Sequence, residues 1–218
     1  SGGDCPGLNA AIRGVARASY DLFDAEIVGI ADGYKGLIEG DYCEMKPSDF
    51  SGILTLGGTI LGTSRRPYRN MRVIEEDNID KVENMKKNYK KMGLDCLITL
   101  GGNGTHKTAN LLSEEGLNVI GLPKTIDNDL PLTDHTPGFG SAAKYVATTM
   151  QEIIRDSSVY SSKSVTIVEI MGRDTGWLTA SSALPYVTGE GPDLIYLPER
   201  TFDTEEFIAS VKSAMEKH

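Results

Sequence analysis

The sequence predicts an α/β fold built on parallel sheet. Three observations carry that expectation. Short apolar runs of strand length occur at Leu94 to Leu100, Val119 to Leu122 and Val165 to Ile170. A glycine or polar turn follows each run, at Gly101-Gly102-Asn103-Gly104-Thr105, at Pro123 to Asp129 and at Met171-Gly172-Arg173. Helix-patterned stretches separate the runs, and strand–helix–strand alternation at this spacing implies parallel strands.

The elements follow in order. Ser1 to Asn9 is a glycine-rich turn with no strand before it, and Leu8 to Tyr20 reads as a helix with Asn9 as N-cap. Glycine lets backbone N–H groups approach an anion, and the helix start behind them carries partial positive charge. Such a loop leaves the end of a strand in α/β sheets, so a first strand is expected upstream. Ala25 to Ile30 reads as a short buried strand before the Asp32-Gly33 turn. Asp49 to Thr55 leads into Gly57-Gly58, a second phosphate-loop candidate. Ile74 to Lys91 reads as a charged amphipathic helix, and Gly104 to Glu115 as the helix between the strands Leu94 to Leu100 and Val119 to Leu122. Asn128 to Gly140 is a loop by composition. Then come a helix (Ser141 to Asp156), a strand (Val165 to Ile170), a helix from Arg173, a strand (Leu194 to Leu197) and a helix from Thr204. A boundary near Gly138 to Gly140 divides 1–138 from 139–218. The second part offers two strands, a small sheet, and reads as an incomplete unit.

Composition narrows the function. Basic residues number 22 and acidic residues 31, a net charge of −9, which argues against nucleic-acid and anionic-membrane surfaces. Phosphorylated small molecules stay open, because glycine loops and a few arginines hold them locally. Arg65, Arg66 and Arg69 form such a basic patch. No apolar stretch approaches bilayer length, and Cys5, Cys43 and Cys96 fit no zinc pattern, which suits a cytoplasmic setting. Cys5 beside a helix start is either reactive or, more simply, packed.

The motifs together resemble the 6-phosphofructokinase family. The matching pieces are Gly2-Gly3-Asp4-Cys5-Pro6-Gly7-Leu8-Asn9, Gly57 to Arg65, Gly101 to Thr105, Pro123 to Asp129 and Met171-Gly172-Arg173. The resemblance implies a phosphofructokinase-like α/β fold of two Rossmann-like units. Residues 1–138 would be the phosphoryl-donor domain without its first strand, and 139–218 part of the sugar-phosphate domain. It implies an allosteric, homo-oligomeric glycolytic enzyme that uses ATP with Mg2+ to phosphorylate fructose 6-phosphate. Pyrophosphate is the alternative donor. A non-catalytic regulatory subunit is the rival of another class.

Site residues follow from the same resemblance. Asp127 would be the general base, with Thr125 and Arg173 beside it. Gly3, Tyr34, Arg65, Arg66, Gly102, Asn103, Gly104, Thr105 and Lys124 would hold the donor, with Tyr34 near the nucleotide base. Asp129, Met171, Gly172 and Lys163 would join Thr125, Asp127 and Arg173 at the sugar phosphate. Lys163 stands where the family places an arginine, and Lys lacks the bidentate fork. Asn103 and Asp129 would hold the metal, although the family carries Asp where Asn103 stands. The residues alone add two expectations. Asp127 and Asp129, two apart, share a face if the segment is extended. Arg173 would start a helix, where a cation is disfavoured unless an anion binds or Asp174 or Glu169 pairs with it. The resemblance further implies that Gly104 and Lys124 stand at the two positions that separate ATP from pyrophosphate users: Gly104 leaves room for a nucleotide, whereas Lys124, usual in pyrophosphate users, can serve either donor.

Overall fold

The computed structural model describes residues 2–76 and 78–217. Ser1, the first residue of the opening loop, and Asp77, inside the span expected to be helical, lie outside the described residues. The chain divides into two compact units, Ser1–Thr125 and Ile126–His218. The expected boundary lay at 138/139. Side-chain bonds within the second unit explain the earlier division. Asn128 donates to the Asp134 carbonyl (3.0 Å), its Oδ1 accepts from the Thr136 amide (2.9 Å), and Thr175 Oγ1 donates to the Asp127 carbonyl (3.0 Å).

The first unit begins with α1 (Leu8–Phe23), which ends on Asp24 in the left-handed region at φ 48°. β1 (Ile27–Ile30) pairs antiparallel with β2 (Tyr42–Met45), Ile27 facing Met45. The short α2 (Tyr34–Glu39) connects them. β2 was not anticipated. α3 spans only Lys81–Lys91, not Ile74 to Lys91. Asp80 caps it by accepting from the Glu83 amide at 3.0 Å, and Asn78 at φ 53° breaks helical geometry just before.

β3 (Leu97–Gly101), α4 (Asn103–Glu114) and β4 (Val119–Pro123) form the anticipated parallel unit, with Leu97 beside Val119 and Gly101 beside Pro123. Gly2 bridges Gly101 in parallel, so the opening loop starts at the C-terminal end of β3. Leu37, Met71, Met85, Leu97 and Leu112 are buried in one core, and Ile12, Ala16, Phe50 and Ile53 form a second under α1. Burying such side chains stabilises the unit by about 1.5–3 kcal/mol each.

In the second unit α5 (Phe139–Ser158) packs on α6 (Trp177–Ala180) and on a 3-10 turn, Ser181–Val187. Ala143, Met150, Leu178 and Pro185 are buried there. α7 (Thr204–Lys217) follows, beside an aromatic cluster of Tyr196, Phe202 and Phe207. Two expected strands do not form: Val165 to Ile170 and Leu194 to Leu197 pair with no neighbour among the described residues. A strand exists through its ladder, and an apolar run without a partner backbone does not become one.

Candidate functional site

Three loops of the first unit meet at Gly3. Gly3 takes φ +95°, a left-handed value that glycine adopts without steric cost, and its amide donates to Thr63 Oγ1 at 2.8 Å. Lys124 is anchored twice: its amide donates to the Gly101 carbonyl (3.0 Å) and its Nζ to the Asp4 carbonyl (3.1 Å). A β-carbon on Gly3 would lie 3.3 Å from Lys124 Nζ and 3.8 Å from Arg65 Nε. Glycine here keeps the backbone bare between two cations. That arrangement suits a phosphate.

The start of α4 lies beyond β3. Its N-cap Gly102 supplies no side-chain bond, and Asn103 and Gly104 are exposed. A β-carbon added to Gly102 or to Gly104 would meet nothing within 4 Å. Thr105 is buried instead, its side chain pressed against the backbone of Gly2 and Gly101. Two of the expected donor-site residues have protein partners. Arg66 turns to Glu39 at 3.8 Å. Tyr34 is a core residue, 8% exposed, whose hydroxyl donates to the Thr105 carbonyl at 2.8 Å. Burial pushes its phenol far above the usual range, opposed by the Thr99 side chain.

Asn9 is not an N-cap. Gly7 holds that position, and the Asn9 side chain is buried in the second glycine loop. It donates to the Leu56 and Gly57 carbonyls (3.2 and 3.3 Å) and accepts from the Ile60 amide (2.7 Å). Sequence reasoning gave no bonding role to Thr63, Asp32 or Ser64. Ser64 Oγ donates to the Asp32 carbonyl (2.6 Å), and the Asp32 amide to the Leu61 carbonyl (2.8 Å). Their signal was small polar residues flanking glycine, which satisfy loop backbone groups. Cys5 is 2% exposed and burial raises its thiol pKa, so packing is its role.

The second unit holds the acidic part. Asp127 is buried, and Arg173 Nε lies 3.9 Å from its Oδ2. Asp129 is exposed, so the two carboxylates do not share a face. Asn128 sits between them at φ 56°, which breaks the alternation of an extended segment. Arg173 starts no helix. It takes φ 55° in a turn where the Thr175 amide (3.1 Å) and Oγ1 (3.0 Å) donate to the Gly172 carbonyl, and its partner is Asp127 rather than Asp174 or Glu169. The helix-end argument for a bound anion therefore lapses. Met171 is exposed, Gly172 buried, and Lys163 Nζ donates to the Met215 carbonyl. Thr125 closes the first unit, immediately before Ile126 opens the second.

Among the described residues no three His, Cys, Asp or Glu side chains gather as a metal cage. Asn103 and Asp129 are exposed hard oxygen donors. Each, one in the first unit and one in the second, is a donor of the kind that Mg2+ takes. No helix among the described residues is long and apolar enough to cross a membrane.

The Phosphofructokinase family model matches residues 1–218. The chain belongs to the phosphofructokinase family. It is 47% identical over its whole length to an ATP-dependent 6-phosphofructokinase of Spirochaeta thermophila, covering 58% of that protein. It is 44% identical over 97% of its length to an ATP-dependent 6-phosphofructokinase of Propionibacterium freudenreichii, covering 55% of it. A crystal structure of a pyrophosphate-dependent phosphofructokinase from Nitrosospira multiformis superposes with a TM-score of 0.84 at 29% identity, over 99% of this chain and 56% of that one. The chain thus spans a little over half the length of these phosphofructokinases, and its fold is the phosphofructokinase α/β fold.

Proposed function

We propose that the complete protein transfers a phosphoryl group to the 1-hydroxyl of fructose 6-phosphate, with ATP as donor. The observation that supports this most is Lys124 Nζ and Arg65 Nε placed over the bare Gly3 backbone. Paired cations on a fixed loop offset charge on a transferred phosphoryl group. Asp127 accepts the proton of the 1-hydroxyl as that oxygen attacks the terminal phosphorus, whose bond to the bridging oxygen breaks to release ADP. Arg173, 3.9 Å from the carboxylate, orients it and meets the phosphates. Thr125, Met171 and Gly172 line the sugar phosphate. Asn103 and Asp129 are the residues that would hold magnesium, which when bound neutralises phosphate charge. Relatives named ATP-dependent favour ATP, as does the open space around Gly104. Lys124, which follows β4 and whose Nζ reaches the Asp4 carbonyl of the opening loop, favours the second reading, pyrophosphate as donor. A cytoplasmic homo-oligomer completes the proposal, in keeping with three free cysteines.

Steady-state kinetics of the complete protein with both donors test this. ATP is expected to give the higher kcat/KM. A value tenfold higher for pyrophosphate, about 1.4 kcal/mol in transition-state terms, overturns the donor assignment. Asp127→Asn is expected to lower kcat by about 10²–10⁴-fold with little change in KM. Unchanged turnover removes Asp127 as the base.

A further inference from the structure

Family resemblance puts Tyr34 near a nucleotide base. The structure shows what its hydroxyl binds. The ring belongs to the core of the first unit, and the hydroxyl donates to the Thr105 carbonyl at 2.8 Å, across 71 residues of sequence. Thr105 is the third residue of α4, directly behind half-buried Gly102 and exposed Asn103 and Gly104. Its side chain is already wedged against the sheet end, where a β-carbon on Gly101 would come within 2.5 Å of Thr105 Cβ. The residue is therefore held at both ends, by glycine backbone on the side chain and by Tyr34 on the carbonyl.

The turn that carries Tyr34 also holds the other donor loop. Asp32 takes φ 51° and Gly33 φ 64°. The Asp32 amide donates to Leu61 O at 2.8 Å, and its carbonyl accepts from Ser64 Oγ at 2.6 Å. Ser64 directly precedes Arg65. One short turn thus braces the loop bearing Arg65 with its first residue and the start of α4 with its third.

We propose that Tyr34 is a positioning residue, whose hydroxyl fixes the first turn of α4 so that the Gly102–Thr105 backbone is set for the polyphosphate of the donor and not for its base. This rests on the donor-loop reading above. The chemistry is that of a preorganised array of N–H groups: the donors must already point at the anion, because reorienting them on binding weakens it. Tyr34→Phe keeps the ring in the core and removes only the hydroxyl.

The test measures binding to the complete protein, wild type and Tyr34→Phe, by calorimetry with three probes: ATP, inorganic tripolyphosphate and fructose 6-phosphate. Tripolyphosphate has no base to contact. The expected result is a rise in the dissociation constants of ATP and tripolyphosphate by a common factor, roughly 3- to 10-fold, the range of one net hydrogen bond. Fructose 6-phosphate binding stays unchanged. A loss confined to ATP restores the base contact and overturns the proposal, as does wild-type binding of ATP without tripolyphosphate. Equal weakening of all three probes, or of none, marks a merely structural hydroxyl and also overturns it. Wild-type protein that binds neither ATP nor tripolyphosphate fails the function proposed above, a separate outcome.

Discussion

Replacing Asn9 by Ala should loosen the Gly57-Gly58 loop far more than a surface change. The side chain is 2% exposed and makes three bonds, to Leu56 O (3.2 Å), Gly57 O (3.3 Å) and Ile60 N (2.7 Å). Both amide hydrogens and one lone pair are used. Alanine leaves two carbonyls and one N–H without that partner. A buried polar group left unpaired costs roughly 1–3 kcal/mol, and these bonds are part-buried, so about 1 kcal/mol each, or about 3 kcal/mol in all, is the working figure. The assay is native-state hydrogen exchange at the Ile60 amide, which loses its acceptor directly. With about 1.4 kcal/mol per factor of ten, exchange should accelerate by about 150-fold. Asn9→Asp should do worse at neutral pH. It keeps the acceptor for Ile60 but sets a second carboxylate oxygen against the Leu56 and Gly57 carbonyls. An Ile60 exchange rate within about threefold of wild type in the Ala variant would refute the reasoning, because the three bonds would then be replaced by water at no cost.

Two further predictions concern single backbone positions. Gly36→Ala should destabilise the first unit by about 3 kcal/mol or more, since its β-carbon would stand 2.8 Å from the Asp41 carbonyl oxygen and closer still to that of Ala31, both backbone; a denaturation midpoint equal to wild type would contradict this. Arg173 holds a left-handed φ of 55°, so Arg173→Gly should be more stable than Arg173→Ala by about 1 kcal/mol while both lose activity; equal midpoints would show that the turn carries no strain.

The β3–α4–β4 unit was legible because every local signal agreed. Apolar runs of strand length, a glycine turn and an amphipathic stretch all pointed one way. The start of α3 was readable too, in Asp80 followed three residues later by Glu83, yet the charged run before it looked equally helical. Val165 to Ile170 failed for another reason. Its apolar run has strand character, but strand status depends on a partner that periodicity cannot supply. The site divided in the same way. Gly3, Arg65 and Lys124 announced themselves by residue type, and the structure brings them together. Asn9 did not, because its partners lie 47 to 51 residues away. Asp129 and Arg173 were misplaced by one dihedral each, since a left-handed residue at Asn128 or at Arg173 redirects everything that follows.

Charge placement joins these pieces. The chain carries −9 overall, and carboxylates pair with several of its cations: Arg17 with Asp21, Arg66 with Glu39, Arg72 and Lys86 with Glu115, Lys81 with Glu75. Arg65 makes no ion pair among the described residues. Lys124 meets a backbone carbonyl, that of Asp4, at Gly3. The carbonyl orients the ammonium at this place. Surface ion pairs contribute little to stability, so these pairs have little energetic value in themselves. In an acidic protein that repels phosphates at a distance, Arg65 and Lys124 beside the Gly3 backbone set a local positive charge. A ligand with several phosphate charges gains from that charge, and one with none does not.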